Sequence, residues 1–142
     1  ERRQLAKERI PIIAKSLSEC KEGISTIEDI IIELTESGKA NFCYSTSNDY
    51  DDVFHIGLGE VLCKADPRLV YCGLFEEGEK IRVIVYAGDE ISKEKSAGEI
   101  VRSISQILGG AGGGSSKFAQ GGGTDKSKKE DAIKNAKTVI LG

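Results

Sequence analysis

One histidine, His55, and four cysteines, Cys20, Cys43, Cys63 and Cys72, are the only imidazole and thiol groups in this 142-residue chain, and no two cysteines form a C-x-x-C pair. Zinc sites gather several such groups at set spacings, and His55 has no cysteine at one, so no metal is expected. No stretch approaches the roughly 18 apolar residues of a membrane span, so no membrane partner is expected either. The opening Glu1-Arg2-Arg3-Gln4 lacks both the apolar core of a signal peptide and an initiating Met, which reads as a piece of a longer chain. Apolar neighbours around Cys63 and Cys72 suit buried thiols in a reducing compartment, and that points to the cytoplasm.

Two phosphate-binding signatures are missing as well. A P-loop needs G-x-x-x-x-G-K-[ST] after a strand, whereas Gly109 and Gly114 are followed by Ser115 and Ser116 and preceded by a helical pattern. A dinucleotide fingerprint needs a preceding strand and a following acidic residue in a βαβ unit, and this run has neither. ATP and NAD are not expected as cofactors of this chain.

What the chain does have is glycine, concentrated in one place. Eight of its 17 glycines fall in the string GGAGGGSSKFAQGGG from Gly109 to Gly123. Two readings of that run compete. It is a flexible spacer, or it is an ordered loop whose backbone amides approach an anion closely. The block Lys117-Phe118-Ala119-Gln120 between two glycine triads favours order, because an exposed Phe adds nothing to a spacer; Phe118 is expected to dock on a core.

Around the run the periodicities give a mixed α/β (α+β) reading: a helical subdomain over 1–38, then a globular subdomain over 39–142 with a small sheet flanked by helices and a Gly-rich loop at 109–123. Residues 1 to about 21 read as a helix that Pro11 kinks or restarts. A second helix is expected from the capping box Ser25/Glu28 and from Ile27, Ile30, Ile31 and Leu34 at i, i+3, i+4, i+7, with Gly38 as its stop. Ala40 to Thr46 reads as a strand, and Asn48 as the cap of a helix to about Ala65; the alternation of Phe54, Ile56 and Leu58 also fits a strand. Leu69 to Phe75 and Lys80 to Ala87 read as a hairpin in a sheet covered mainly on one face. Ser96 and Glu99 form a second capping box ahead of an amphipathic helix that ends at Gly109. A last helix turns Ala132, Ile133, Ala136 and Ile140 inward.

Charge is uneven. The net charge is −3, yet residues 117–142 hold six lysines against three acids. Lys117, Lys126, Lys128, Lys129, Lys134 and Lys137 either make a positive field beside the glycines, as phosphate binding requires, or line a solvated helix face. The isoleucines of the first 38 residues also have two readings. Ile10, Ile13 and Leu17 with Ile27, Ile30, Ile31 and Leu34 pack within the chain, or against the same faces of a second chain in an isologous homodimer.

The string GGAGGGSSKFAQGGG, after the helix AGEIVRSISQILGG and before a lysine-rich helix, resembles the C-terminal, DHH-associated (C-Ala) region of alanyl-tRNA synthetases of the archaeal type. The resemblance covers residues 40–142, and the first 38 residues are similar to the helical subdomain preceding it. Phe118, Ala119, Gln120 and Gly121 to Gly123 match the motif. Ala111 stands where the family usually has a basic residue, and Ser115-Ser116-Lys117 where it has a Lys-Pro-like step.

The resemblance implies a noncatalytic unit of an alanine–tRNA ligase that holds two synthetase chains together and contacts alanine-specific tRNA away from the acceptor end, with the other domains of the same synthetase as partners. ATP and zinc are implied for those other domains, and no catalytic or editing centre is expected here. The tRNA contacts it points to are Gly112, Gly113, Gly114, Gly121, Gly122 and Gly123 through their amides, with Lys117, Lys126, Lys128 and Lys129 on sugar-phosphate oxygens. No aromatic platform for bases is evident, so contact is expected to follow shape. The alternatives are the nucleic-acid-binding half of a DHH-family phosphoesterase such as a RecJ-like nuclease, whose glycine motif typically ends in a histidine, and a pure dimerisation scaffold.

Overall fold

The computed structural model describes residues 40–46, 48 and 51–141, the backbone of 23–27 and 30–34, and the isolated positions Pro11 and Lys15, both helical. The expectations for Ile10, Ile13, Leu17 and the rest of the first helix, including its kink, lie outside the described residues.

Seven strands form one sheet in the order β1-β2-β3-β4-β5-β7-β6. They are β1 (Gly23–Ile27), β2 (Ile30–Leu34), β3 (Asn41–Ser45), β4 (Leu69–Glu77), β5 (Lys80–Ala87), β6 (Ala111–Gly114) and β7 (Phe118–Gly123). All neighbours are antiparallel except β3 and β4. That parallel pair needs a crossover, which helix α1 (Asp52–Ala65) supplies. Helices α2 (Ala97–Ile107) and α3 (Lys129–Leu141) pack together on the sheet.

The second expected helix is instead the β1–β2 hairpin, with Ile27 paired to Ile30 and Thr26 to Ile31. The helical spacing of its isoleucines is real, but Ile30-Ile31-Ile32 is a β-branched run that loses rotamer freedom in a helix and fits a pleated strand. β2 then pairs with β3, so the sheet continues across position 38, with Ser25 inside β1 rather than capping a helix.

The sheet also departs from the one-sided expectation. Residues Leu69 to Phe75 of β4 are buried without a break, because both faces are covered. On one face Val70, Cys72, Leu74, Ile81, Val83 and Val85 meet Val101 and Ile104 of α2 and Ala132, Ile133, Ala136 and Ile140 of α3 in the main core. The inward face assigned to the last helix is borne out, and α2 is the amphipathic helix expected before Gly109. On the other face α1 lies over β4 and β5, burying Phe54, His55, Leu58 and Leu62.

Local details decide where α1 begins. Asp51, not Asn48, is its N-cap, with Oδ1 accepting from the Phe54 amide at 3.2 Å. Asn48 instead bonds the Glu76 backbone amide at 2.9 Å, joining the β3 end to the β4 end. Segment 52–65 is helical throughout, and its Gly59 is required by packing: a Cβ there would lie 2.8 Å from the Cβ of Tyr86. Cys43, Cys63 and Cys72 are buried, and burial pushes the Cys63 thiol up to about 12.

Candidate nucleic-acid interface

The glycine run is a β-hairpin at the sheet edge, not a loop. β7 pairs with β5, β6 pairs only with β7, and Ser115, Ser116 and Lys117 make the turn between them. Its glycines let α2 lie directly on the strands: a Cβ on Gly112 would sit 2.5 Å from Val101 Cγ1, and one on Gly121 would sit 2.3 Å from Ser105 Oγ. Gly109, at φ +75°, supplies the left-handed exit from α2 that ends the helix where expected.

The start of α2 is also tied to this hairpin. Ser96 makes no side-chain cap; the amides of Ala97 and Gly98 donate to the Ser116 and Ser115 carbonyls at 2.8 and 3.0 Å. The turn is further held by the Ala87 amide, which donates to the Lys117 carbonyl at 2.8 Å.

The two faces of the hairpin differ. Ala119 faces the main core, whereas Phe118 does not: it is half-buried on the opposite face, beside Tyr86 across the β5–β7 register, with ring centroids 5.0 Å apart. The docking expected of Phe118 is therefore onto an aromatic partner, Tyr86. Ile84 pairs with Gln120 and Arg82 with Gly122 along the same face. Arg82 Nη2 donates to Gln120 Oε1 at 2.7 Å, while Nη1 contacts Glu77 at 3.3 Å and Asp52 at 3.6 Å. Beside Arg82 a groove of about 500 Å³ is lined by Glu77, Lys80, Ile81, Gly109 to Ala111 and Gly121 to Thr124.

The four lysines expected to meet tRNA, Lys117, Lys126, Lys128 and Lys129, do not form one patch. Lys117 sits in the turn, paired with Asp89 at 2.8 Å. The other three follow the far end of β7, which at strand rise is about 17 Å away. There Lys126 bonds the Gly78 carbonyl at 2.7 Å and Glu76 at 3.0 Å, and Lys128 approaches Asp131 at 3.8 Å. Lys129 donates to the Thr46 carbonyl at 2.6 Å and to Asn48 at 3.2 Å; desolvation lowers its pKa. The Glu76 carboxyl is held below its usual range by hydrogen bonds from Lys126 and Asn48. Lys126 and Lys129 thus act as straps, while Lys117 and Lys128 are more than half exposed.

Of the six glycines, Gly112, Gly114, Gly121 and Gly123 abut α2 or neighbouring backbone, and Gly122 meets the Ile81 carbonyl, while a Cβ on Gly113 would meet nothing within 4 Å. Ile27, Ile30, Ile31 and Leu34 lie on the outer hairpin at the opposite end of the sheet from the glycines. Arg82 and Tyr86 were missed as site residues. Their alternation along one strand face was visible, but not the strand that completes that face.

Residues 41–141 match the profile of the DHHA1 domain. The chain belongs to the DHHA1 family. The crystal structure of the C-Ala domain from Aquifex aeolicus alanyl-tRNA synthetase superposes on this DHHA1 chain with a TM-score of 0.70 at 27% identity, covering 78% of this chain and 98% of that one. The alanine–tRNA ligase of Nitrosopumilus maritimus is 43% identical over 137 residues, which are 96% of this chain and 14% of that protein. The chain therefore spans about a seventh of that relative's length. An exopolyphosphatase-related protein from Bacteroides fragilis shares the fold alone, with a TM-score of 0.52 at 15% identity over 78% of this chain and 31% of that one. Among the described residues no helix is long and apolar enough to cross a membrane.

Proposed function

We propose that this DHHA1 chain is the noncatalytic C-terminal unit of an alanyl-tRNA synthetase, which binds alanine-specific tRNA through its sugar-phosphate backbone and joins two synthetase chains. The observation that carries this reading is the match of 78% of this chain to 98% of a C-Ala domain of such an enzyme. The glycine hairpin supports it by presenting an edge strand, β6, at the end of the sheet. Lys117 and Lys128 add exposed charge at its two ends. Lys126 and Lys129 contribute charge while holding the β3 and β4 ends in place.

Phosphate contact has a signature that packing does not imitate. Each neutralised phosphate releases counterions, so affinity falls with salt by a logarithmic slope of about 0.7–0.9 per contact. The 142-residue chain is expected to bind a tRNA transcript with that salt dependence, and Lys117→Ala with Lys128→Ala together to lower the slope by about 2. Binding indifferent to salt overturns backbone contact.

For association, analytical ultracentrifugation is expected to show a monomer–dimer equilibrium that shifts with concentration. A monomer at every concentration removes the dimer.

A further inference from the structure

The face of β5 and β7 that α2 does not cover changes character along its length, and each part suits a different piece of one ligand. At one end Tyr86 and Phe118 form an aromatic pair with centroids 5.0 Å apart and planes at 45°. α1 holds Tyr86 from one side, because Gly59 allows its backbone to close on that ring. Phe118 is the only large side chain in β7, and it is turned away from the main core, which takes Ala119 instead.

Next to this pair, toward the sheet edge, the floor is peptide backbone. Gly113 lies in register with Gln120, and a Cβ there would meet nothing within 4 Å. The bare part is the β6 edge at Gly113, one strand spacing, about 5 Å, from Gln120. At Gly113 a planar ring can lie against bare backbone, flanked by the Phe118 and Gln120 side chains that rise from β7 on the same face.

Gln120 stands beside this edge, exposed, between Ile84 and Gly113 in the register. A guanidinium only donates, so the 2.7 Å bond from Arg82 turns the Gln120 oxygen inward and leaves its NH2 group for acceptor atoms. Four residues back along β5 from Tyr86, about 13 Å at strand rise, Lys80 and Arg82 line the groove, with Arg82 paired to Glu77 and Asp52. Aromatic face, open backbone at Gly113 and an oriented amide donor together match a nucleobase better than a lipid or an aliphatic side chain.

We infer that this face is a stacking platform for a nucleobase lacking a stacking neighbour in its own RNA, with Phe118 as the ring it covers and Gln120 as the donor to its edge. The inference rests on the RNA-binding reading above and adds that the contact includes a base, not the backbone alone. A peptide added along β6 would instead be held by main-chain bonds and be indifferent to the Phe118 ring.

The chain has no tryptophan, so Phe118→Trp places a single reporter on the platform. Titrated with a transcript of alanine-specific tRNA, its emission is expected to be quenched while affinity is kept. Phe118→Leu, which keeps apolar bulk and loses the ring, is expected to bind about tenfold more weakly with an unchanged salt slope. Gly113→Val, whose Cβ enters space with nothing within 4 Å, is expected to do the same. Thermal melts near wild type for both variants separate this from unfolding. Wild-type tRNA binding with affinity in Phe118→Leu and Gly113→Val within about twofold of it overturns the platform and leaves backbone binding standing. No tRNA binding by the wild type overturns both.

Discussion

Gly123→Ala will cost the fold about 3 kcal/mol, whereas Gly113→Ala, ten residues away in the same hairpin, will cost close to nothing. Neither glycine has a left-handed φ, so backbone strain does not separate them. Packing does. A Cβ on Gly123 would lie 2.1 Å from the Leu108 carbonyl oxygen and 2.6 Å from its carbon. That carbonyl ends α2 and accepts the Asp125 amide at 2.9 Å, so it is tied to both neighbouring segments and cannot yield as a side-chain tip would. A Cβ on Gly113 meets open space. Thermal melts of the two variants check the pair, with a loss of about 10 °C expected for Gly123→Ala and little change for Gly113→Ala. Equal melting temperatures would mean that α2 does not sit on the glycine strands as described.

The contrast explains why so many glycines are gathered in one place. On the α2 side they set the closeness of a helix to two strands, with Gly98 of the helix itself only 3.0 Å, measured from an added Cβ, from the Gly114 carbonyl. On the other side they leave the backbone open at Gly113, beside the Phe118 and Gln120 side chains. A run that reads as either spacer or anion cradle is therefore first a packing device, and only Gly113 among its triads is open on account of its own position.

How much of this was legible follows from range. The inward faces of α2 and α3, the β4–β5 hairpin and the Gly109 stop depend on neighbours within a few residues, and periodicity and turn chemistry report those directly. The β1–β2 hairpin was not legible because its isoleucines satisfy helix and strand spacing alike; pairing with β3 decides between them. The glycine strands were hidden for the opposite reason. Glycine has low strand propensity, and only the ladder with β5 and the weight of α2 make it extended.

The candidate site divides the same way. Gln120 and the glycines could be singled out because they stand together in one short string. Arg82 and Tyr86 lie far upstream, and only the β5–β7 register places them opposite Gly122 and Phe118. Charge counting along the chain likewise left six lysines as either one positive field or a solvated helix face, and Lys117 and the lysines after Gly123 flank the two ends of a strand. Two of them also spend their bonds on backbone carbonyls.

His55 carries the second large effect, and its consequence is a loss of stability on mild acidification. The ring is fully buried under α1, stacked on Phe75 at 4.9 Å, with Nδ1 2.7 Å from the Tyr71 hydroxyl. It packs over Gly73, where a Cβ would come within 2.4 Å of that nitrogen. Burial is the main cause that lowers its pKa from 6.5 to about 4, against the opposing pull of Asp51 and Asp52. The folded chain therefore refuses a proton that the unfolded chain accepts. Above pH 6.5 neither state binds it and stability is whole; between pH 6.5 and about 4 the unfolded state is favoured progressively, by at most about 3 kcal/mol. The carboxyls of Glu76 and Asp89, both held below their usual ranges by hydrogen bonds led by Lys126 and Lys117, lose their contributions only at lower pH. The interval from pH 6.5 to 5 thus isolates the imidazole. Urea unfolding across it is expected to show a falling midpoint in the wild type and a nearly level one in His55→Phe, whatever that variant's absolute stability. Parallel slopes in the two proteins would place the acid sensitivity elsewhere.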